Sequence, residues 1–355
     1  MIIILIDIGN ERNYRLVMRQ LALFLSLAVA AFGAEAQDNV VNVYSGRHYK
    51  TDEALYEGFT KKTGIKVNRI EASEDAIIER IRNEGPRSPA DVMITVDAGR
   101  LWRAAELGLF QPVKSQVLES RIPANFREPG GHWFGFSSRA RVIAYNKAKV
   151  KPGEIENYEQ LADSKWKGRV CMRSSTNIYN LSLMGALIDH IGADKAEAWA
   201  KGVRANLAHE PKGGDTDQLK SVAAGQCDVT LSNQYYYARL ARSDKADEKA
   251  IAEKLGIVFP NQKSWGTHVN ISGAGVAKHA PHREAAVKFL EYLASDEAQR
   301  YFADGNNEWP VVASVKVDNP VLSSFGSFKR DPINVALLGK NQPSSQKIYD
   351  RVAWK

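Results

Sequence analysis

Cysteine is scarce in this chain: among 355 residues only Cys171 and Cys227 carry a thiol. Two thiols do not make a structural zinc site, so they either form one bridge or stay free. The common hydrolase and nucleotide signatures are missing as well. There is no Gly-x-Ser-x-Gly elbow, no His-Glu-x-x-His pair and no P-loop, which argues against an enzyme. Charge of one sign is not concentrated anywhere; the formal net charge of +7 is spread over a chain that is 25% charged and 44% hydrophobic. Without a basic stripe, nucleic-acid binding is not expected. The one long apolar run near the N-terminus, Leu21 to Phe32, is too short to span a bilayer.

That run has the surroundings of an export signal. Arg19 precedes it, and Ala34-Glu35-Ala36 supplies a small-x-small pattern before Gln37. The expectation is a signal peptide over residues 1–36, with Met18 as an alternative true start, cleaved near Ala36-Gln37. The mature protein then lies in the periplasm, an oxidising setting in which Cys171 and Cys227 can bridge. Each thiol sits in a strand-like run just upstream of a tyrosine.

Beyond Gln37 the chain alternates between two periods. Val40 to Tyr44, Ile65 to Ile70 and Asp91 to Val96 read as strands; Asp52 to Thr63, Glu74 to Asn83 and Ala98 to Leu107 read as helices. Strands separated by helices at this spacing predict an α/β fold with a mostly parallel sheet and ligands outside the carboxyl ends of its strands. Segment 131–146 is long and strand-like and is expected to cross from one lobe to another. Segment 266–277 is expected to return. Two short helices are expected in the tail, at 334–338 and 344–353.

Tyrosine recurs in one local setting. Leu231-Ser232-Asn233 precedes Gln234-Tyr235-Tyr236-Tyr237-Ala238-Arg239, so an apolar strand runs into a polar cap and then into phenols on a first helical turn. Ser174-Ser175-Thr176-Asn177 caps a helix that starts near Ile178 and places Tyr179 in the same way. Arg239 is four residues from Tyr235 and three from Tyr236, on their face. Tyr49 and His48 lie where the first strand ends, in the loop before a helix. Ionising a phenol of reference pKa near 10 at pH 7 costs about 4 kcal/mol. Several converging phenolates therefore ask for a small, highly charged, oxygen-preferring cation, and ferric iron fits better than zinc, magnesium or calcium. Aromatic packing is the competing reading of any one of these tyrosines.

His48-Tyr49, Tyr179 and Tyr235-Tyr236, in that order, together with Ser88-Pro89-Ala90-Asp91-Val92, Ser138-Arg139-Ala140-Arg141-Val142 and Glu308-Trp309-Pro310-Val311, resemble the periplasmic ferric-iron-binding proteins of ABC importers, most of all the Fut-type subgroup of cyanobacteria. The resemblance covers nearly all of the mature chain. It implies a two-lobed type II periplasmic binding protein clamshell with crossover hinge strands. Residues 37–136 and 265–318 would form the first lobe, and 137–264 and 319–355 the second. It implies a monomer that takes Fe3+ as cargo and hands it to ABC permease and ATPase subunits. Tyr49 would come from the first lobe and Tyr179, Tyr235 and Tyr236 from the second. His48 is carried as a fifth candidate ligand, since some tyrosine-rich members use it and others do not. Many relatives outside the subgroup use a Glu at the position of Val96, so Tyr179 supplies the missing hard oxygen here. Four phenolates around a ferric ion total −1, and Arg139 and Arg239 are expected to neutralise it. Ser137 and Asn233 match positions that hold an anion in relatives using one. The competing reading is a binding protein for another small cargo, such as thiamine, a polyamine or a sugar acid.

Overall fold

The computed structural model describes residues 39–47, 49 and 51–355. The expected signal peptide and His48 lie outside the described residues. Among those described, no helix is long and apolar enough to cross a membrane.

The chain begins with β1 (Val40–Ser45), β2 (Lys66–Glu71) and β3 (Val92–Thr95). Then come β4 (Phe134–Asn146), β5 (Val170–Cys171), β6 (Val229–Asn233) and β7 (Leu255–Val258), and β8 (Val269–Val276) and β9 (Trp309–Pro310) complete the set. They join in the order β2-β1-β3-β8-β4-β6-β5, with β7 and β9 also paired to β4. β1 with β3 and β5 with β6 are parallel. In the middle, β8 runs antiparallel to both β3 and β4, and β4 antiparallel to β6 and β7. The mostly parallel sheet expected from the β–α alternation thus holds at the flanks and gives way at the centre. There a strand leaving one half of the molecule is matched by the strand returning to it.

β4 is the pivot of this arrangement. Phe134 to Ala140 pair with β8, whereas Arg141 to Tyr145 pair with β6. All of its residues are buried. Its two halves serve different cores. Phe134, Phe136 and Ala140 join a first core with Val41, Val43, Phe59, Met93, Phe289 and Phe302. Ile143 and Tyr145 join a second with Trp166, Met184, Trp199, Leu231 and Tyr349. The tail forms the helices Ala336–Lys340 and Gln342–Arg351. Expected with the second lobe, it serves both: Val335 and Leu338 pack in the first core and Ile348, Tyr349 and Trp354 in the second.

Cys171, at the end of β5, is bonded to Cys227, two residues before β6. The bridge spans a sequence separation of 56 residues, which in the chain-entropy model corresponds to about 4 kcal/mol. It ties together the two strands that lead to Tyr179 and to Tyr235-Tyr236.

Candidate functional site

Tyr179 stands in the first turn of helix Ile178–Ile191, whose N-cap Asn177 accepts a hydrogen bond from the Tyr179 amide at 3.2 Å. Tyr235 and Tyr236 open helix Gln234–Ala241 directly after β6. The expected cap at Ser232 or Asn233 takes a different form here. Asn233 is the N-cap residue but makes no side-chain cap bond. Its side-chain oxygen instead accepts from Arg141 at 3.2 Å, and its amide nitrogen points at the Tyr235 hydroxyl, 3.5 Å away. The buried Asp215 carboxylate accepts the Asn233 backbone N–H at 2.8 Å. Tyr49 is half-buried in the loop after β1, and its carbonyl accepts the amide of Asp52, which begins helix Asp52–Thr63.

The structure brings these tyrosines together. The hydroxyls of Tyr179 and Tyr235 are 3.1 Å apart, and the rings of Tyr235 and Tyr236 are stacked at an angle with centroids at 4.3 Å. The Arg239 guanidinium carbon lies 5.8 Å from the Tyr49 ring centroid, 6.0 Å from that of Tyr235 and 5.6 Å from that of Tyr236. One cation thus faces phenols from both sides of the cluster, within cation–π range. Among the described residues no three His, Cys, Asp or Glu side chains gather as a metal-binding group. The oxygen donors that gather are phenols.

Two ion networks, buried except at the partly exposed Arg173, flank the cluster. On the Tyr49 side, Arg47 makes a two-point contact with Asp52 at 2.9 and 3.0 Å and donates to Glu308 at 3.1 Å. Arg139 donates to the other Glu308 oxygen at 2.8 and 3.2 Å, and also to the Val96 carbonyl and the Ser272 hydroxyl. The Arg47 guanidinium lies 4.9 Å from the Tyr49 ring centroid. On the Tyr179 side, Arg141 and Arg173 share Asp215, at 2.6 and 3.1 Å. Their guanidinium carbons lie 5.6 and 5.4 Å from the Tyr179 ring centroid.

Burial pushes the Tyr179 and Tyr235 phenols well above their ordinary value of 10.0. Neighbouring phenols, Tyr49 and Tyr236 among them, push the same way, while Arg139 opposes. Tyr49 is raised by burial and then by Glu308, against Arg47 and Arg139. Burial works against the charge of Glu308 too, but Arg47 and Arg139 outweigh it and hold its carboxyl low. Without a cation, then, burial keeps the Tyr49, Tyr179 and Tyr235 phenols protonated, and ionising one makes ionising the next harder.

The roles expected of the residues around the phenols are redistributed. Arg239 lies against the rings of Tyr49, Tyr235 and Tyr236. Arg139 also faces them, since Tyr235, Tyr179 and Tyr49 each favour its charge, but its hydrogen bonds go to Glu308. Ser137, expected at an anion, donates to Glu308 at 3.1 Å, and Asn233 is engaged by Arg141 and Tyr235. Sequence reasoning gave no role to Arg47, Asp52, Glu308, Arg141, Asp215 or Arg173. One signal was available: a strand buried along its whole length carries Arg139 and Arg141 on one face, and each buried cation needs an anion.

Comparison with known proteins gives three consistent relatives. The family model described as bacterial extracellular solute-binding protein matches residues 54–332. The chain is 53% identical over 315 residues to iron uptake protein A1 of Synechocystis, covering 89% of this chain and 87% of that one. Among solved structures, a Trichodesmium protein in complex with iron and citrate is 58% identical with a TM-score of 0.86, covering 89% of this chain and all of that one. The ferric binding protein from Campylobacter jejuni is 42% identical with a TM-score of 0.85, over 89% of this chain and 100% of that chain.

Proposed function

Because the chain belongs to the bacterial extracellular solute-binding protein family and shares the type II periplasmic binding protein fold, we propose that it binds ferric ion in an interlobe cleft and delivers it to a membrane permease. Tyr49, Tyr179, Tyr235 and Tyr236 are the proposed ligands. In this reading Tyr49 comes from one lobe and Tyr179, Tyr235 and Tyr236 from the other, while the tail packs in both cores. His48 remains a candidate fifth ligand. The observation that carries the reading is the convergence of phenols from separate chain segments, with Tyr179 and Tyr235 in hydroxyl contact and Arg239 facing Tyr49, Tyr235 and Tyr236 together. The names of the relatives point the same way: one is an iron uptake protein and another was solved with iron.

Ferric ion changes the balance at these phenols. A trivalent cation at the hydroxyls makes the ionised form favourable where burial and mutual repulsion had opposed it. Binding therefore expels phenol protons, and affinity falls as pH drops. Reduction to the ferrous state removes one charge and weakens hard phenolate ligation, which gives a release route at the membrane. A thiamine, polyamine or sugar-acid cargo has no need of converging phenols. The protein acts as a periplasmic monomer serving ABC permease and ATPase subunits rather than as an enzyme.

Metal analysis of the protein as purified tests the reading. We expect a coloured protein with one iron per chain that bleaches on acidification or with a reductant and a chelator. A colourless protein that takes up no ferric ion contradicts it.

A further inference from the structure

The two ion networks beside the phenols differ in total charge. On the Tyr49 side, Arg47 and Arg139 are matched by Asp52 and Glu308, all four side chains being buried. Cations and carboxylates cancel there. On the Tyr179 side, Arg141 and Arg173 share the single carboxylate of Asp215. Among the described residues no second carboxylate is in ion-pair contact with either guanidinium. The remaining partners of Arg141 are the neutral side-chain oxygens of Asn233 and Asn180. The Nε atoms of both arginines are buried without a hydrogen-bond partner. One formal positive charge is therefore left over, placed against the Tyr179 ring.

A buried cation without its own anion is unfavourable unless something negative arrives beside it. The four-phenolate ferric cluster carries one net negative charge. Of the two arginines expected to offset it, Arg139 is already paired with Glu308 at 2.8 Å, and Arg239, though it faces the phenol rings, is exposed and its charge is weakened by solvent. We propose that Arg173, oriented by Asp215 and acting through Tyr179, is a positioning residue that supplies the countercharge to the loaded cluster and thereby favours the ferric over the empty site. This inference rests on the ferric reading above. Arg173 is the member of the triad to change, because its side chain is 19% exposed whereas Arg141 and Asp215 are fully enclosed.

The test uses the full mature chain in three forms: wild type, Arg173→Gln and Arg173→Lys. Each is loaded with ferric ion and followed by its phenolate-to-iron charge-transfer absorption, its ferric affinity and its reduction potential. Arg173→Gln is expected to lose affinity by on the order of tenfold or more, as is typical for partners just outside a metal. Its potential should move negative, because the reduced cluster carries more negative charge and loses more from the missing cation. Arg173→Lys, which keeps the charge, should recover most of both. Asp215→Asn, which removes the shared carboxylate, should shift the potential the opposite way; it decides the matter if Arg173→Gln does not fold. If wild type takes iron normally while Arg173→Gln leaves affinity and potential unchanged, the inference is overturned and the ferric reading stands. If wild type takes no iron, both fall.

Discussion

On one side of the tyrosine cluster Tyr49 sits in a loop after β1, and its surroundings are fixed by Arg47, Asp52, Arg139 and Glu308. On the other side Tyr179, Tyr235 and Tyr236 stand on the first turns of two helices. The strands leading to them are joined by the Cys171–Cys227 bridge. Helix and disulfide geometry orient the second set through the backbone. The single loop-borne phenol lies against Arg47, in a network whose two cations and two carboxylates cancel in charge. The network beside Tyr179 does not cancel. Two arginine pairs beside the same phenols thus differ in how many carboxylates they share, two for one and one for the other.

The strongest challenge to this contrast is Glu308→Ala. It leaves Arg47 and Arg139 with only Asp52 between them, and removing one partner of a buried pair typically costs about 3–5 kcal/mol. Urea unfolding of the iron-free protein measures this directly. A loss below about 1 kcal/mol would mean that the Tyr49 side is held by packing rather than by charge.

A smaller effect sharpens the seam between the sides. Asp97 accepts from Gly99 at its own helix start, from Asn270 in β8 and from Ser182, one turn beyond Tyr179. Burial, reinforced by Glu74, raises its pKa from 3.8 to about 7. A carboxyl raised on folding stabilises the native state below its unfolded pKa, and that contribution is lost as pH climbs from about 4 to 7. His268 has the opposite sign. Burial, followed by Arg141 and His190, lowers it from 6.5 to about 3, so its contribution is present above 6.5 and is lost as pH falls. Across pH 4–6.5 the two oppose each other. Asp97→Asn should unmask His268, giving a stability that rises with pH more steeply than wild type by at most about 4 kcal/mol over the window. Parallel stability–pH curves for the two proteins would remove Asp97 from the seam.

Much of this was legible in the residues. Tyr179 and Tyr235-Tyr236 announced themselves by a repeated strand–cap–phenol order, because helix starts are written locally. Crossing strands were readable in length but not in direction, since β4 and β8 acquire their antiparallel pairing only from the path between two cores. The supporting networks were legible only as a need, two arginines at alternate positions of a buried strand, and not in their partners. Arg47 and Glu308 are 261 residues apart, and Arg141 and Asp215 are 74 apart. No local pattern tells a buried arginine which distant carboxylate it will meet. Glu308 stood in a recognised stretch, Glu308-Trp309-Pro310-Val311, yet its role appeared only with its partners. Asn233 looked like a cap from its position and composition, and the competition from Arg141 and Tyr235 for its side chain overrode that.

Whether phenols from both sides meet one ion is tested most directly by ferric titration of the iron-free protein. The titration is followed by charge-transfer absorption and run beside Tyr49→Phe and Tyr179→Phe. Saturation at one ferric ion per chain is predicted, with each substitution weakening binding by more than the roughly 10–100-fold typical of an outer partner. Tyr49→Phe binding ferric ion with wild-type affinity and an unshifted band would contradict the shared site.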